Sequence, residues 1–217
     1  HQGKKYQIPL LADQGTGLGK ALKIINHPYR NEIPIALATL GEKSVEMTAE
    51  IADAWLPAFF MAEGADAVWG DALRAGNAKR DPGLPPLEIY AGGSVAVGQG
   101  LESYRDMARP NIALYVGGMG AKEKNFYNQV FRKYGYEDEA EEIQNLFLAG
   151  RKSAAEAAIP QSYLDATSLV GDEGFIRDRL QVYREAGVTS LSVAFLGTTT
   201  AERVKNCDAL KNILAKI

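Results

Sequence analysis

Residues 33–60, IPIALATLGEKSVEMTAEIADAWLPAFF, constrain what this chain can fold into more than any other stretch. Ile33-Pro34-Ile35-Ala36-Leu37-Ala38 is an apolar run short enough to be a strand buried on both faces. It stops at Thr39-Leu40-Gly41, and Val45, Thr48, Ala49, Ala52 and Trp55 then recur at helical spacing. A second apolar run, Trp55-Leu56-Pro57-Ala58-Phe59-Phe60, follows at once. Strand, glycine turn, helix and strand make a βαβ unit. The glycine turn opens a helix at the carboxyl end of a strand, where first-turn amides lack partners and the helix dipole favours an anion. The pattern points to a phosphate-bearing ligand at Thr39–Lys43.

Residues 1–20 carry four glycines and no periodicity, so they read as a loop. A brief apolar segment at residues 21–25 precedes His27-Pro28, and His27 reads as a loop histidine. Glu63–Lys79 reads as a one-sided helix ended by the turn cluster Asp81–Pro86. Leu87–Gly98 is the third strand candidate, and its glycines imply that backbone or ligand comes close. Residues 100–168 are helical, punctuated by Pro110 and by Gly117-Gly118, Gly120, Gly135 and Gly150. Asp172-Glu173 reads as the charged start of a helix that Gly187 ends. Thr189–Phe195 is a β-branched strand candidate, and Thr198-Thr199-Thr200 caps a final helix whose apolar stripe is Val204, Cys207, Leu210, Leu214 and Ile217. Strands near 33–39, 55–60, 87–97 and 190–196 alternate with helices, which predicts a parallel sheet.

The formal charge is −3 and the isoelectric point about 5.5, which argues against a nucleic-acid partner. No apolar run is long enough to predict a membrane span. The lone Cys207 excludes an internal disulfide and suits a reducing compartment such as the cytoplasm. With one Cys and two His, no transition-metal site is expected.

Four segments together resemble the carboxyl-terminal part of the luciferase-like monooxygenase superfamily, within it the oxidoreductases that use coenzyme F-420 (F420, an 8-hydroxy-5-deazaflavin). They are Ile33–Lys43 with Ala49–Pro57, Arg109–Gly120 with Asn125-Phe126-Tyr127, Asp165–Gly171, and Tyr183–Thr189. The resemblance implies a (β/α)8 TIM barrel with the cofactor at the carboxyl ends of the strands. Residues 1–217 would then be one domain supplying strands five to eight, with a helical insertion at about 100–168 after strand seven. The usual catalytic side chains of the family have no matching positions here.

The resemblance places Ala38, Thr39, Leu40, Gly41 and Lys43 beside the phosphate-bearing tail of the cofactor, with Thr39 offering a hydroxyl and Lys43 a charge. Pro57 and Phe59 would face the same mouth. Tyr115, Met119, Asn125, Phe126 and Tyr127 of the insertion would contact substrate or cofactor. Glu42 stands where relatives often carry proline, and its carboxylate would compete with a phosphate for the first-turn amides. The implied function is hydride transfer between F420 and an organic small molecule, in a cytoplasmic homodimer without metal. An FMN-dependent monooxygenase and a non-catalytic flavin or deazaflavin binder are the alternatives. A half barrel exposes two sheet edges, so residues 1–217 alone are expected to be insoluble, molten or self-associated. A sharp, cooperative melt of a monomer would contradict the half-barrel reading.

Overall fold

The computed structural model describes residues 1–20, 23, 25–30 and 32–217. Most of the apolar segment at 21–25 therefore lies outside the described residues. The chain divides into two compact units, His1–Ile33 and Pro34–Ile217. In the first, an isolated antiparallel bridge joins Gln2 to Gln7, and the remaining described residues are irregular and mostly exposed, His27 among them. The loop reading of this segment holds.

The second unit is α/β. Its strands are β1 (Ala36–Leu37), β2 (Ala54–Trp55), β3 (Glu88–Ala91), β4 (Ser94–Val97), β5 (Leu169–Gly171), β6 (Ser190–Leu191) and β7 (Ala194–Phe195), and every pairing is parallel. The order is β1-β2-β3-β6 in one ladder and β5-β4-β7 in the other. The two ladders share a spine. Tyr90 faces Ser190, Ala91 faces Leu191, Ser94 faces Ala194 and Val95 faces Phe195, an unbroken register. The Ser192 amide donates to Ala91 O and the Ala194 amide to Gly93 O, each at 3.0 Å, carrying the ladder across the gap. Residues 88–97 and 190–195 thus act as two long strands, each interrupted once.

The interruption at Gly92-Gly93 has a steric cause. A Cβ on Gly92 would lie 2.4 Å from Ser192 O, and one on Gly93 would lie 2.2 Å from Thr167 O. The close approach inferred from these glycines is therefore made by backbone. It lets β5 lie beside β4 on the side that β2 occupies along β3. The sequence reading missed β5, because Leu169-Val170 is too short an apolar run to separate from the end of a helix.

Two other expectations need correction. The second strand is Ala54–Trp55 and does not run to Phe60. Pro57 cannot donate to a ladder, and Phe59 has φ of +56°, a left-handed backbone that no strand contains. Trp55, counted above on the first helix, belongs to this strand, and the helix is α1 (Glu42–Ile51) with Val45, Thr48 and Ala49 buried. In the last helix, α9 (Thr200–Leu214), the fully buried positions are Leu210 and Ile213, while Val204 is exposed.

Most glycine and proline signals hold. A 3-10 turn at Glu102–Ala108 leads into α3 (Arg109–Gly118), which has Pro110 in its first turn. Next come α4 (Phe126–Lys133), α5 (Glu137–Leu148), α6 (Lys152–Ala157) and α7 (Gln161–Ala166). Gly135, Gly150 and Gly187 have positive φ after α4, α5 and α8 (Glu173–Glu185), as helix-ending glycines should. Asp172 accepts from the Phe175 amide at the start of α8, and Thr199 with Glu202 forms a capping box on α9.

Among the described residues there are two apolar cores. One packs α1, α8, α9 and the helical segment after β2 on the sheet, around Val45, Trp55, Trp69, Val95, Leu169 and Ile176. The other lies among α3–α7, around Ile112, Val116, Phe131, Ile143 and Tyr163. No helix among the described residues is long and apolar enough to cross a membrane.

Gly93→Ala tests the spine. The added Cβ has to push backbone apart, so the substitution is expected to cost about 1–3 kcal/mol in urea unfolding. Gly83→Ala in the exposed turn should change the midpoint little.

Candidate functional site

The turn after β1 is held from beneath by two buried tryptophans. Trp55 Nε1 donates to Thr39 O at 3.0 Å and Trp69 Nε1 to Leu40 O at 2.9 Å. Their rings meet edge to face at 5.2 Å. Trp69 lies in a π-helical turn, Asp66–Gly70, that leads into α2 (Asp71–Asn77). The chain then enters α1 through Gly41 with no side-chain cap. The Ser44 and Val45 amides bond to Gly41 O, whereas the Glu42 and Lys43 amides have no partner among the described residues.

Gly41, Glu42, Lys43 and Ser44 open into a cleft of about 530 Å³, walled by Trp69 and by Phe126, Gln129 and Lys133 of α4. Lys133 Nζ sits 2.5 Å from Glu42 Oε1, an ion pair between exposed groups on α1 and α4. The hydrogen bond and charge of Lys133 hold the Glu42 carboxyl below its ordinary value, so Glu42 is committed to Lys133. Lys43 has no ion-pair partner among the described residues.

Thr39 does not match its expected role. Its hydroxyl lies 2.8 Å from Thr48 Oγ1, which itself donates to Ser44 O at 2.7 Å. The Thr39 proton is therefore spent inward on Thr48, and no donor is left for a ligand. Ala38 is exposed and lines no part of this cleft.

Pro57 and Phe59 line a different cleft, of about 360 Å³, together with Gly92-Gly93-Ser94, Met107, Asn111, Thr167 and Leu196. The loop that carries them is pinned by Tyr134, just beyond α4. Tyr134 Oη accepts from the Met61 amide and donates to Phe59 O, both at 3.0 Å. Burial pushes the Tyr134 hydroxyl well above the usual tyrosine value, and that of Tyr163 as well, so both stay protonated. These contacts hold Phe59 at its positive φ, a costly conformation for a bulky residue.

The candidates from α3 to α4 divide in the same way. Tyr115 and Tyr127 pack on Phe59, with ring centroids 5.3 and 5.4 Å away, and on each other at 4.8 Å. They support the wall of the second cleft from behind. Phe126 lines the first cleft. Met119 is exposed just beyond α3 and lines neither cleft.

Asn125 is corrected outright. It is 1% exposed. Its Oδ1 caps α4 by accepting from the Tyr127 and Asn128 amides, and its Nδ2 donates to Tyr115 O and Val116 O. Every hydrogen-bonding site is used on structure, and none is left for substrate. Lys133, Ser94 and Asn111 were not singled out from sequence. Their importance depends on which distant segments fold over them, and no local pattern records that.

The sequence model of the luciferase-like monooxygenase family matches residues 13–190, and the chain belongs to that family. A Mycobacterium tuberculosis protein with the provisional name coenzyme F420-dependent oxidoreductase Rv3520c is 39% identical over 212 residues, covering 96% of this chain and 59% of that protein. The chain thus spans about three-fifths of the length of this curated relative. Among solved structures, the coenzyme F420-dependent tetrahydromethanopterin reductase of Methanopyrus kandleri superposes with a TM-score of 0.56. At 19% identity over 82% of this chain and 48% of that one, the likeness is one of fold.

Tyr134→Phe tests the pinned loop. It orphans the Met61 amide and removes a bond to Phe59 O, so unfolding should become easier by about 1–3 kcal/mol. The near-ultraviolet circular dichroism of the Phe59–Tyr115–Tyr127 cluster should weaken at the same time. Unchanged spectra and stability would show that Tyr134 does not hold the loop.

Proposed function

We propose that this chain holds the phosphate-bearing tail of coenzyme F420 in the cleft at the start of α1, as part of an oxidoreductase that moves a hydride between the deazaflavin and a small organic molecule. The observation that carries this reading is the conjunction in one cleft of two unpartnered amides, Glu42 and Lys43, with the unpaired ammonium of Lys43. A helix start supplies directed donors and a favourable dipole, and a lysine adds a charge. Glu42, expected to compete for the same amides, is drawn to Lys133 on α4 instead.

F420, when bound, supplies the hydride at its ring, and the chain supplies position. Lys43 and the first-turn amides of α1 would anchor the tail. Trp69 and Phe126 would wall it from solvent. The relative named for F420 dependence favours a deazaflavin over FMN, although the tail site is compatible with either. On the same reading, β1, β2, the β3–β4 strand and the β6–β7 strand are four consecutive strands of a family barrel, with α3–α7 as the insertion. The homodimer and cytoplasmic location implied by the resemblance belong to this proposal too.

Calorimetric titration of the intact protein with F420 tests the anchor. Lys43→Ala removes a charged contact and should weaken F420 by roughly tenfold or more. Glu42→Gln releases Lys133 toward the phosphate and should tighten binding a few-fold at low salt, with the gain screened as salt rises. No binding of F420 by the intact protein, or binding indifferent to Lys43→Ala, would overturn the assignment.

A further inference from the structure

The second cleft differs in character from the first. Its walls are Pro57, Phe59, Met107, Ile112 and Leu196, and backbone passes through at Gly92-Gly93. Among the described residues, no Asp, Glu, Lys, Arg or His lines it. The nearest arginines along the chain are already committed. Arg105 binds Asp165 and, twice, Val170 O, with Phe175 beneath its guanidinium. Arg109 binds Asp106, Gln161 and the carbonyls of Glu156 and Ile159 at the end of α6.

Four side chains with a polar group line the cleft, namely Ser94, Asn111, Thr167 and Tyr163, whose hydroxyl is directed at Phe59 O at 3.5 Å. The Thr167 hydroxyl is spent on Tyr163 O at 2.8 Å. Ser94 and Asn111 have no side-chain hydrogen bond among the described residues, while the Tyr163 and Thr167 hydroxyls, which also line the cleft, are engaged. An anionic ligand would lose its hydration here and gain no counter-charge. An apolar body fits the walls, and a single oxygen can be met by the Asn111 carboxamide or the Ser94 hydroxyl.

We infer that this cleft binds an uncharged, largely apolar organic molecule carrying one carbonyl or hydroxyl oxygen, and that it rejects phosphorylated and carboxylate substrates. The inference rests on the proposed function in taking this molecule to be the hydride partner of the deazaflavin. The two clefts then divide the work. The one at α1 takes the anionic tail, and the one beneath Phe59 takes the neutral reactant.

The test is saturation-transfer NMR on the cofactor-free intact protein, with cyclohexanone as the neutral probe and glucose 6-phosphate as the anionic one. Cyclohexanone should bind. Asn111→Ala should weaken it by roughly three- to tenfold through loss of one hydrogen bond. Met107→Trp, at an exposed position on the rim, should abolish binding while leaving the circular dichroism unchanged. Glucose 6-phosphate should not compete, and Lys43→Ala should leave cyclohexanone binding as it is. The inference is overturned if cyclohexanone does not bind, if it binds equally well to Asn111→Ala and Met107→Trp, or if glucose 6-phosphate displaces it. Because no F420 is present, failure of the tail assignment does not change this readout, and failure here leaves F420 titration intact.

Discussion

The indole N–H groups of Trp55 and Trp69 donate to the carbonyls of Thr39 and Leu40, and those two bonds decide what the carboxyl end of β1 presents. Both rings are essentially buried, so an unmade bond would leave a polar group unsatisfied at about 1–3 kcal/mol. With the carbonyls turned down into the core, the chain enters α1 at Gly41 with its first amides turned outward. The same tryptophans belong to the core that packs α1 on the sheet. Turn, helix start and core are therefore one constraint, and disturbing any of them would move the cleft.

The helices α3–α7 are tied closely to this framework. Of these, α4 supplies Phe126 and Lys133 to the first cleft and is capped by Asn125, which also binds the last carbonyls of α3. One residue beyond α4, Tyr134 reaches back to the loop after β2 and holds Phe59 in a left-handed conformation. A single short helix thus lines the first cleft and, through Tyr127 and the adjoining Tyr134, backs the Phe59 that lines the second.

Much of this was legible in the residues. The strand, glycine turn and helix of residues 33–51 could be read because their periods differ. The helix ends of the insertion could be read because Gly135 and Gly150 need a backbone that other residues resist. What could not be read depended on partners far away in sequence. Trp55–Phe60 looks like a strand until Tyr134 is seen to bend it. Thr39 looks like a ligand donor until Thr48 takes its proton, and Asn125 looks like a pocket residue until its capping bonds are counted. The strand Leu169–Gly171 exists because Gly93 lets Thr167 approach, and that contact leaves no local period. Lys133 lies 91 positions from Glu42, and only the fold pairs them.

We propose that a phosphate-bearing deazaflavin is anchored by its tail at the start of α1. The most direct test compares equilibrium binding of F420 with that of the same deazaflavin and ribityl chain lacking the phosphate. The intact protein should bind F420 more tightly by tenfold or more, and Lys43→Ala should erase most of that difference. Equal affinity for the two molecules, or a difference that survives Lys43→Ala in full, would contradict the account.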